Sequence, residues 1–231
     1  MIPLKDDNPT KGRPIITYIL IGLCVVIFLV GLKKDTQDIF MSYGLIPSVL
    51  MGYDHLHIDV YVVPAYITIL TSMFIHGSWI HLIGNMLYMW IFADNIEDDL
   101  GSRNFLIFYF LSGLGAAIAQ VLVDTHSQIP MGGASGAIGG VLGAYLINHP
   151  NARVLVLIPF GFFSQLIKIR ALYVLGFWFV LQFINSSMMS SQGGGVAYAA
   201  HIGGFITGMV LILFFNKTTK RKTTIVKGPW S

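Results

Sequence analysis

The chain has 231 residues, of which 11% are charged and 55% hydrophobic, and its mean hydropathy is +0.71. Soluble domains carry about 25% charged residues, so this composition excludes a soluble globule and, equally, bulk disorder. The single cysteine, Cys24, excludes a disulfide scaffold, and a net charge of only +3 makes the distribution of charge more informative than its total. The class that remains is a polytopic membrane protein.

A bilayer core takes roughly 20 apolar residues per helical span. Six segments are candidates in chain order: about Pro14–Leu32, Trp79–Ala93, Asn104–Val123, Ala134–Asn148, Ala171–Asn185 and Val196–Phe215. Several are short, so some helices should be broken, tilted or enclosed by the others. The apolar run Ile15–Val30 is longer than a signal-peptide core and no A-x-A-like site follows it, which predicts a retained anchor. Lys33–Ser78 is too apolar for a solvated linker (Phe40, Met41, Tyr43, Leu45, Ile46, then Val60–Leu70) and reads as an interfacial element on the outer leaflet. Asp94, Glu97, Asp98 and Asp99, near Arg103, read as a solvated loop at an inner helix end. Arg153–Arg170 is broken by Pro159-Phe160-Gly161 and reads as a short hairpin or re-entrant piece on the inner side.

Lys and Arg sort by side. With alternating spans, 12 of the 14 fall on the side of the termini and 2 on the other. Positive charge marks the cytoplasmic face, so both termini are expected there. The second, fourth and sixth spans then enter from outside.

Polar groups inside a bilayer are costly and each asks for a reason. His81 and Asn85 lie four apart on one face of the second span; an interfacial histidine and an interhelical hydrogen bond would be the structural explanation. The fourth span opens Met131-Gly132-Gly133-Ala134-Ser135-Gly136, and Gly136, Gly140 and Ala144 form a close-packing stripe in which Ser135 could be one more small residue. The sixth span carries Ala200-His201-Ile202-Gly203-Gly204, with a matching stripe of Ala200, Gly204 and Gly208.

Jointly these residues say more. The two stripes let the fourth and sixth helices touch, which brings Ser135 within reach of His201 in the outer third of the membrane. Serine needs a base to lose its proton at neutral pH, and histidine is the usual one. No Asp or Glu sits in the outer half of any span, and Asp124 is a poor third member, so a Ser–His dyad is expected. Asn85, His81 and the Ser135 N–H would donate to an oxyanion at the helix N-terminus.

Gly133-Ala134-Ser135-Gly136, Ala200-His201 followed by Gly203-Gly204, and His76, His81 and Asn85 resemble the rhomboid family of intramembrane serine proteases over residues 14–216. The resemblance implies an all-α, six-helix membrane bundle with Ser135 as nucleophile and His201 as general base. It also implies oxyanion stabilisation by Asn85, His81 and the Ser135 amide. Single-pass transmembrane proteins would be cut near the outer membrane boundary, with membrane lipids the other partner and neither cofactor, metal nor nucleic acid needed. Glu97 matches a family glutamate, read as structural and bonding loop backbone. Two positions depart from the family pattern: an often aromatic residue one turn after the serine is Gly139, so His201 must be held by something else, and the Trp-Arg pair of the first outer loop is absent.

The expected organisation is a cytoplasmic tail over residues 1–13, one membrane domain over 14–216 with its outer loop at 33–78, and a basic cytoplasmic tail over 217–231 drawn to anionic lipid. A bacterial cell membrane is the expected location. Three alternatives stand beside the protease. One is an inactive rhomboid-like protein that binds transmembrane clients. A second is a transporter, which would show paired halves. The third is a metal site of His55, His57, His76, His81 and His201, which lacks the glutamate of an H-E-x-x-H helix.

Overall fold

Long apolar runs without interior proline become helices here, and prolines, glycines and polar caps mark most of their ends. The computed structural model describes residues 1–55, 62–160, 163–188 and 197–223. Strand β1 (Ile2–Asp6) leads into helix α1 (Ile15–Gly31), followed by α2 (Thr36–Tyr43), the single turn α3 (Pro47–Leu50), a 3-10 turn at Ala65–Ile67 and the single turn α4 (Thr68–Thr71). Then come α5 (Trp79–Leu100), α6 (Ser102–Val123), α7 (Ser135–Asn148), strands β2 (Arg153–Phe160) and β3 (Phe163–Arg170), α8 (Ala171–Met188) and α9 (Tyr198–Thr223). Ser78 caps α5 by accepting from the His81 N–H at 3.2 Å. Gly101, at φ +74°, makes the reversal between α5 and α6, a conformation that favours a residue without Cβ.

Among the described residues, Ser102–Val123 and Tyr198–Asn216 are long and apolar enough to cross a membrane, with mean hydropathies of 2.1 and 1.8. Ile15–Gly31, Ser135–Asn148 and Ala171–Ser186 are apolar but shorter. On α6 the exposed side chains Ile107, Leu111, Leu114, Ile118 and Leu122 recur at helical spacing, an apolar stripe that water would not tolerate.

The all-α expectation needs one correction. The three strands form an antiparallel sheet in the order β1-β2-β3. Arg153 pairs with Arg170 and Ile158 with Gln165, while Ile2 pairs with Leu157 and Asp6 with Val154. Alternation explains the strands: Val154 and Val156 are fully buried against the helices while their neighbours are not. The N-terminal stretch, expected as a tail, is therefore a sheet edge. Its partner lies about 150 residues away, a pairing no local pattern reports. Of the expected hairpin turn, Gly161 lies outside the described residues, as do His57, Val196 and the end of the basic tail. The first part of that tail, residues 217–223, continues α9.

The acidic cluster is also corrected. Instead of a solvated loop, α5 runs on through Leu100, and Glu97, Asp98 and Asp99 each find a partner from another segment at the sheet end of the bundle. Glu97 is 3% exposed and accepts from the N–H groups of Ile16 and Thr17 at 3.0 and 2.8 Å, and from the hydroxyls of Thr17 and Ser102 at 2.9 and 2.5 Å. Its structural role is thus to satisfy the open N-terminus of α1 rather than loop backbone. Asp98 accepts from the N–H groups of Lys11 and Gly12, and Asp99 bonds His149 and Asn148. Nearby, Tyr145 donates to Asp6 at 2.5 Å; burial raises the Asp6 carboxyl above its ordinary value.

Helix α7 occupies the centre, every residue from Gly136 to Tyr145 being buried. Its glycines let α9 approach backbone to backbone. A Cβ on Gly204 would stand 1.9 Å from the Gly136 carbonyl oxygen, and one on Gly208 2.0 Å from that of Gly140. On the other face Gly140 lies against Ser112 of α6. Phe92, Phe105, Phe108, Tyr109 and Tyr145 fill the space toward the sheet end, all with essentially no exposure.

Candidate functional site

The contact between α7 and α9 fixes two N-terminal helix ends side by side, away from the sheet. Ser135 is the first residue of α7 and is partly exposed, whereas His201, in the first turn of α9, is 8% exposed. His201 Nε2 lies 2.7 Å from Ser135 Oγ. Within α7 the first of its own hydrogen bonds is Ile138 N–H to the Ala134 carbonyl, at 2.9 Å. The N–H groups of Ser135, Gly136 and Ala137 therefore have no partner within the helix, and the positive end of its dipole surrounds the serine.

The stretch before Ser135 is pinned from two sides. Leu45 and Met131 exchange both backbone hydrogen bonds at 2.9 Å, and Gly133 N–H donates to the Ser72 carbonyl at 2.8 Å. Gly133 has φ +131°, and a Cβ there would lie 2.8 Å from His81 Nε2 and 3.6 Å from Asn85 Nδ2. Both side chains expected to face an oxyanion thus converge on the residue two before the serine.

His76 orders that pair. Its Nδ1 lies 3.2 Å from the Phe74 carbonyl, so Nδ1 carries the proton and Nε2 accepts from Asn85 Nδ2 at 3.0 Å. Burial, and secondarily His81, pushes His76 down to about 4, which keeps it neutral at pH 7. The amide of Asn85 has two N–H bonds, and His76 engages one of them. The sequence motif contained His76 without assigning it a task; its buried partner nine residues on the chain supplies one.

Asp124 takes no part in the cluster, its carboxylate accepting instead from the His126 N–H at 3.0 Å in a turn. The group facing His201 Nδ1 is Gln182 of α8, with Oε1 at 2.8 Å. Sequence reasoning missed it. A single Gln inside an apolar helix is a signal only under the rule that buried polar groups need partners.

A helical bundle that hydrogen-bonds a serine to a buried histidine beside a helix N-terminus has the parts of a serine hydrolase. The rhomboid domain model matches residues 64–218, and the chain belongs to the rhomboid family. It is 28% identical over 214 residues to Rhomboid protein 1, mitochondrial, of Saccharomyces cerevisiae, covering 90% of this chain and 55% of that one. It is 29% identical over 202 residues to Rhomboid protease GluP of Bacillus subtilis, covering 86% and 34%. With Rhomboid protease AarA of Providencia stuartii it shares 29% identity over 164 residues, covering 62% and 54%. The chain spans about half the length of these relatives, or less. Membership makes it an integral membrane protein of a family that includes serine proteases acting on transmembrane substrates.

Proposed function

We propose that this protein is an intramembrane serine endopeptidase. The observation that most supports it is the 2.7 Å hydrogen bond from Ser135 to His201 at an accessible helix N-terminus. Ser135 Oγ attacks the scissile carbonyl while His201 Nε2 takes its proton. The tetrahedral oxyanion draws on the Ser135 N–H, Asn85 and His81. The protonated histidine then gives its proton to the leaving amine, and a water activated by the same imidazole releases the acyl group.

In this reading α1 and α5 to α9 are six membrane spans within residues 14–216, with both termini cytoplasmic and the serine toward the outer face. Helix α7 has 14 residues, so it is about 21 Å long against a bilayer core of roughly 30 Å. The roughly 9 Å that remain are assigned in this reading to the space above its N-terminus, where water reaches Ser135. The substrate is a single-pass transmembrane protein that unwinds near the outer boundary to expose its carbonyl. A small cavity beside Ser135, lined by Ser72, Met73, Ala116, Gly133, Ala197 and Ala200, favours a small side chain at the acyl position. A bacterial cell membrane is the proposed location.

The test is incubation of the purified chain with a model single-pass substrate, together with a fluorophosphonate probe. Wild type should cut and be labelled; Ser135→Ala and His201→Ala should do neither. Equal cleavage by Ser135→Ala would remove the assignment. Client binding without cleavage or labelling would establish the inactive rhomboid-like alternative.

A further inference from the structure

We infer that Gln182, oriented by Trp178, is a positioning residue that holds His201 in the tautomer and orientation that proton transfer from Ser135 requires. The inference rests on the protease reading above and assigns that reaction a third partner.

The argument is one of hydrogen-bond direction. To accept the serine proton, His201 must present an unprotonated Nε2, so the ring proton belongs on Nδ1. A neutral imidazole chooses its tautomer by what its other nitrogen meets. Here Nδ1 meets an oxygen of Gln182 at 2.8 Å. Which end of an amide faces a neighbour is a matter of its full bonding pattern, and this amide has a second contact that decides it. Gln182 Nε2 lies 3.3 Å from the Trp178 carbonyl one turn earlier on α8, where only an N–H can bond. The carbonyl oxygen of Gln182 is therefore the end that faces His201. The chain of bonds runs from Ser135 O–H to His201 Nε2, and from His201 Nδ1–H through Gln182 to the α8 backbone.

Burial makes the link consequential. Gln182 is 9% and His201 8% exposed. When the serine attacks, the imidazole becomes a cation with a second N–H in that buried place, and without an acceptor its Nδ1–H would be stranded. The Trp178 ring adds a wall: its centroid is 5.8 Å from that of His201 at 32°, and it rests in turn on Phe205 at 6.0 Å. Gly139 explains why support comes from α8. A Cβ at that position would stand 2.9 Å from the His201 carbonyl oxygen, so α7 cannot carry an aromatic ring there without pushing α9 away.

The experiment uses the full chain in detergent, with Gln182→Met as a near-isosteric change lacking the acceptor and Gln182→Glu as the conservative variant. Gln182→Met should lower kcat roughly tenfold to a hundredfold with KM within about twofold, and slow fluorophosphonate labelling of Ser135 by the same factor. Its thermal unfolding midpoint should fall by only the few degrees that one lost buried hydrogen bond accounts for, about 2–4 °C per kcal/mol. Gln182→Glu should restore most of the rate and move the acidic limb of the kcat/KM profile to higher pH, because a carboxylate stabilises the imidazolium. The other groups facing His201 are Ser135 from α7, Tyr198 on its own helix and His81 from α5, and none of them changes in either variant. Wild-type kcat in Gln182→Met would overturn the inference. So would a loss matched by a fall in thermal stability and not rescued by Glu, which would make Gln182 a packing residue only. A wild type that neither cuts nor labels would instead remove the protease reading, and this inference with it.

Discussion

Gly204→Ala adds one carbon where α9 rests on α7. That Cβ would stand 1.9 Å from the Gly136 carbonyl oxygen and 2.9 Å from its carbon, whereas ordinary contact begins near 3.4 Å. Both obstacles are backbone, so no side chain can rotate away, and the helices must part by about 1.5 Å. Gly136 follows Ser135 directly, and Gly204 lies three residues after His201. A separation of that size carries the 2.7 Å serine–histidine bond beyond hydrogen-bonding range. Overpacking should cost about 1–3 kcal/mol of stability, and a misplacement of about 1 Å at reacting groups costs roughly a hundredfold in rate. The assay is cleavage of a model transmembrane substrate beside thermal unfolding in detergent. Gly22→Ala is the control, because a Cβ there meets nothing within 4 Å, so only helix propensity should change, by about 1 kcal/mol in favour of Ala. If Gly204→Ala kept wild-type rate and melting temperature, the backbone contact between α7 and α9 would not be what sets the site.

Three further outcomes follow from the same geometry. Gly133→Ala forces a side chain into φ +131° and to within 2.8 Å of His81; kcat should fall about tenfold or more with the fold retained, strain of this kind costing roughly 1–3 kcal/mol, and an unchanged kcat would contradict the placement of His81. Glu97→Ala strands the N–H groups of Ile16 and Thr17 at the start of α1; a loss of about 3 kcal/mol is expected by denaturant titration, and a loss below about 1 kcal/mol would refute the capping role. His76 is pushed from 6.5 to about 4 in the folded chain, so between those values the unfolded chain binds a proton that the folded one refuses. Stability should therefore decline as pH falls through that window, by roughly 3 kcal/mol at its lower end. Unfolding measured at pH 7 and pH 4.5 should show a smaller decline in His76→Gln than in wild type, and an equal decline would sink the argument.

Composition alone was enough to place this chain in a membrane, because 11% charged residues cannot cover a water-soluble surface. The glycine stripes at Gly136 and Gly140 and at Gly204 and Gly208 announced a close helix pair, since small residues at a spacing of four have few other uses in lipid. That pairing carried Ser135 to His201. What the sequence could not announce were the partners supplied by distant segments. A strand at Ile2–Asp6 exists only because β2 offers its edge, and the acids at the end of α5 are helical only because the N-terminal segment and the end of α7 meet them. Gln182 and His76 are of the same kind. Hydrophobic periodicity and residue size are local properties, legible in one dimension. The acceptor for a buried proton is chosen by whichever chain segment folding brings alongside, and that only the tertiary structure decides.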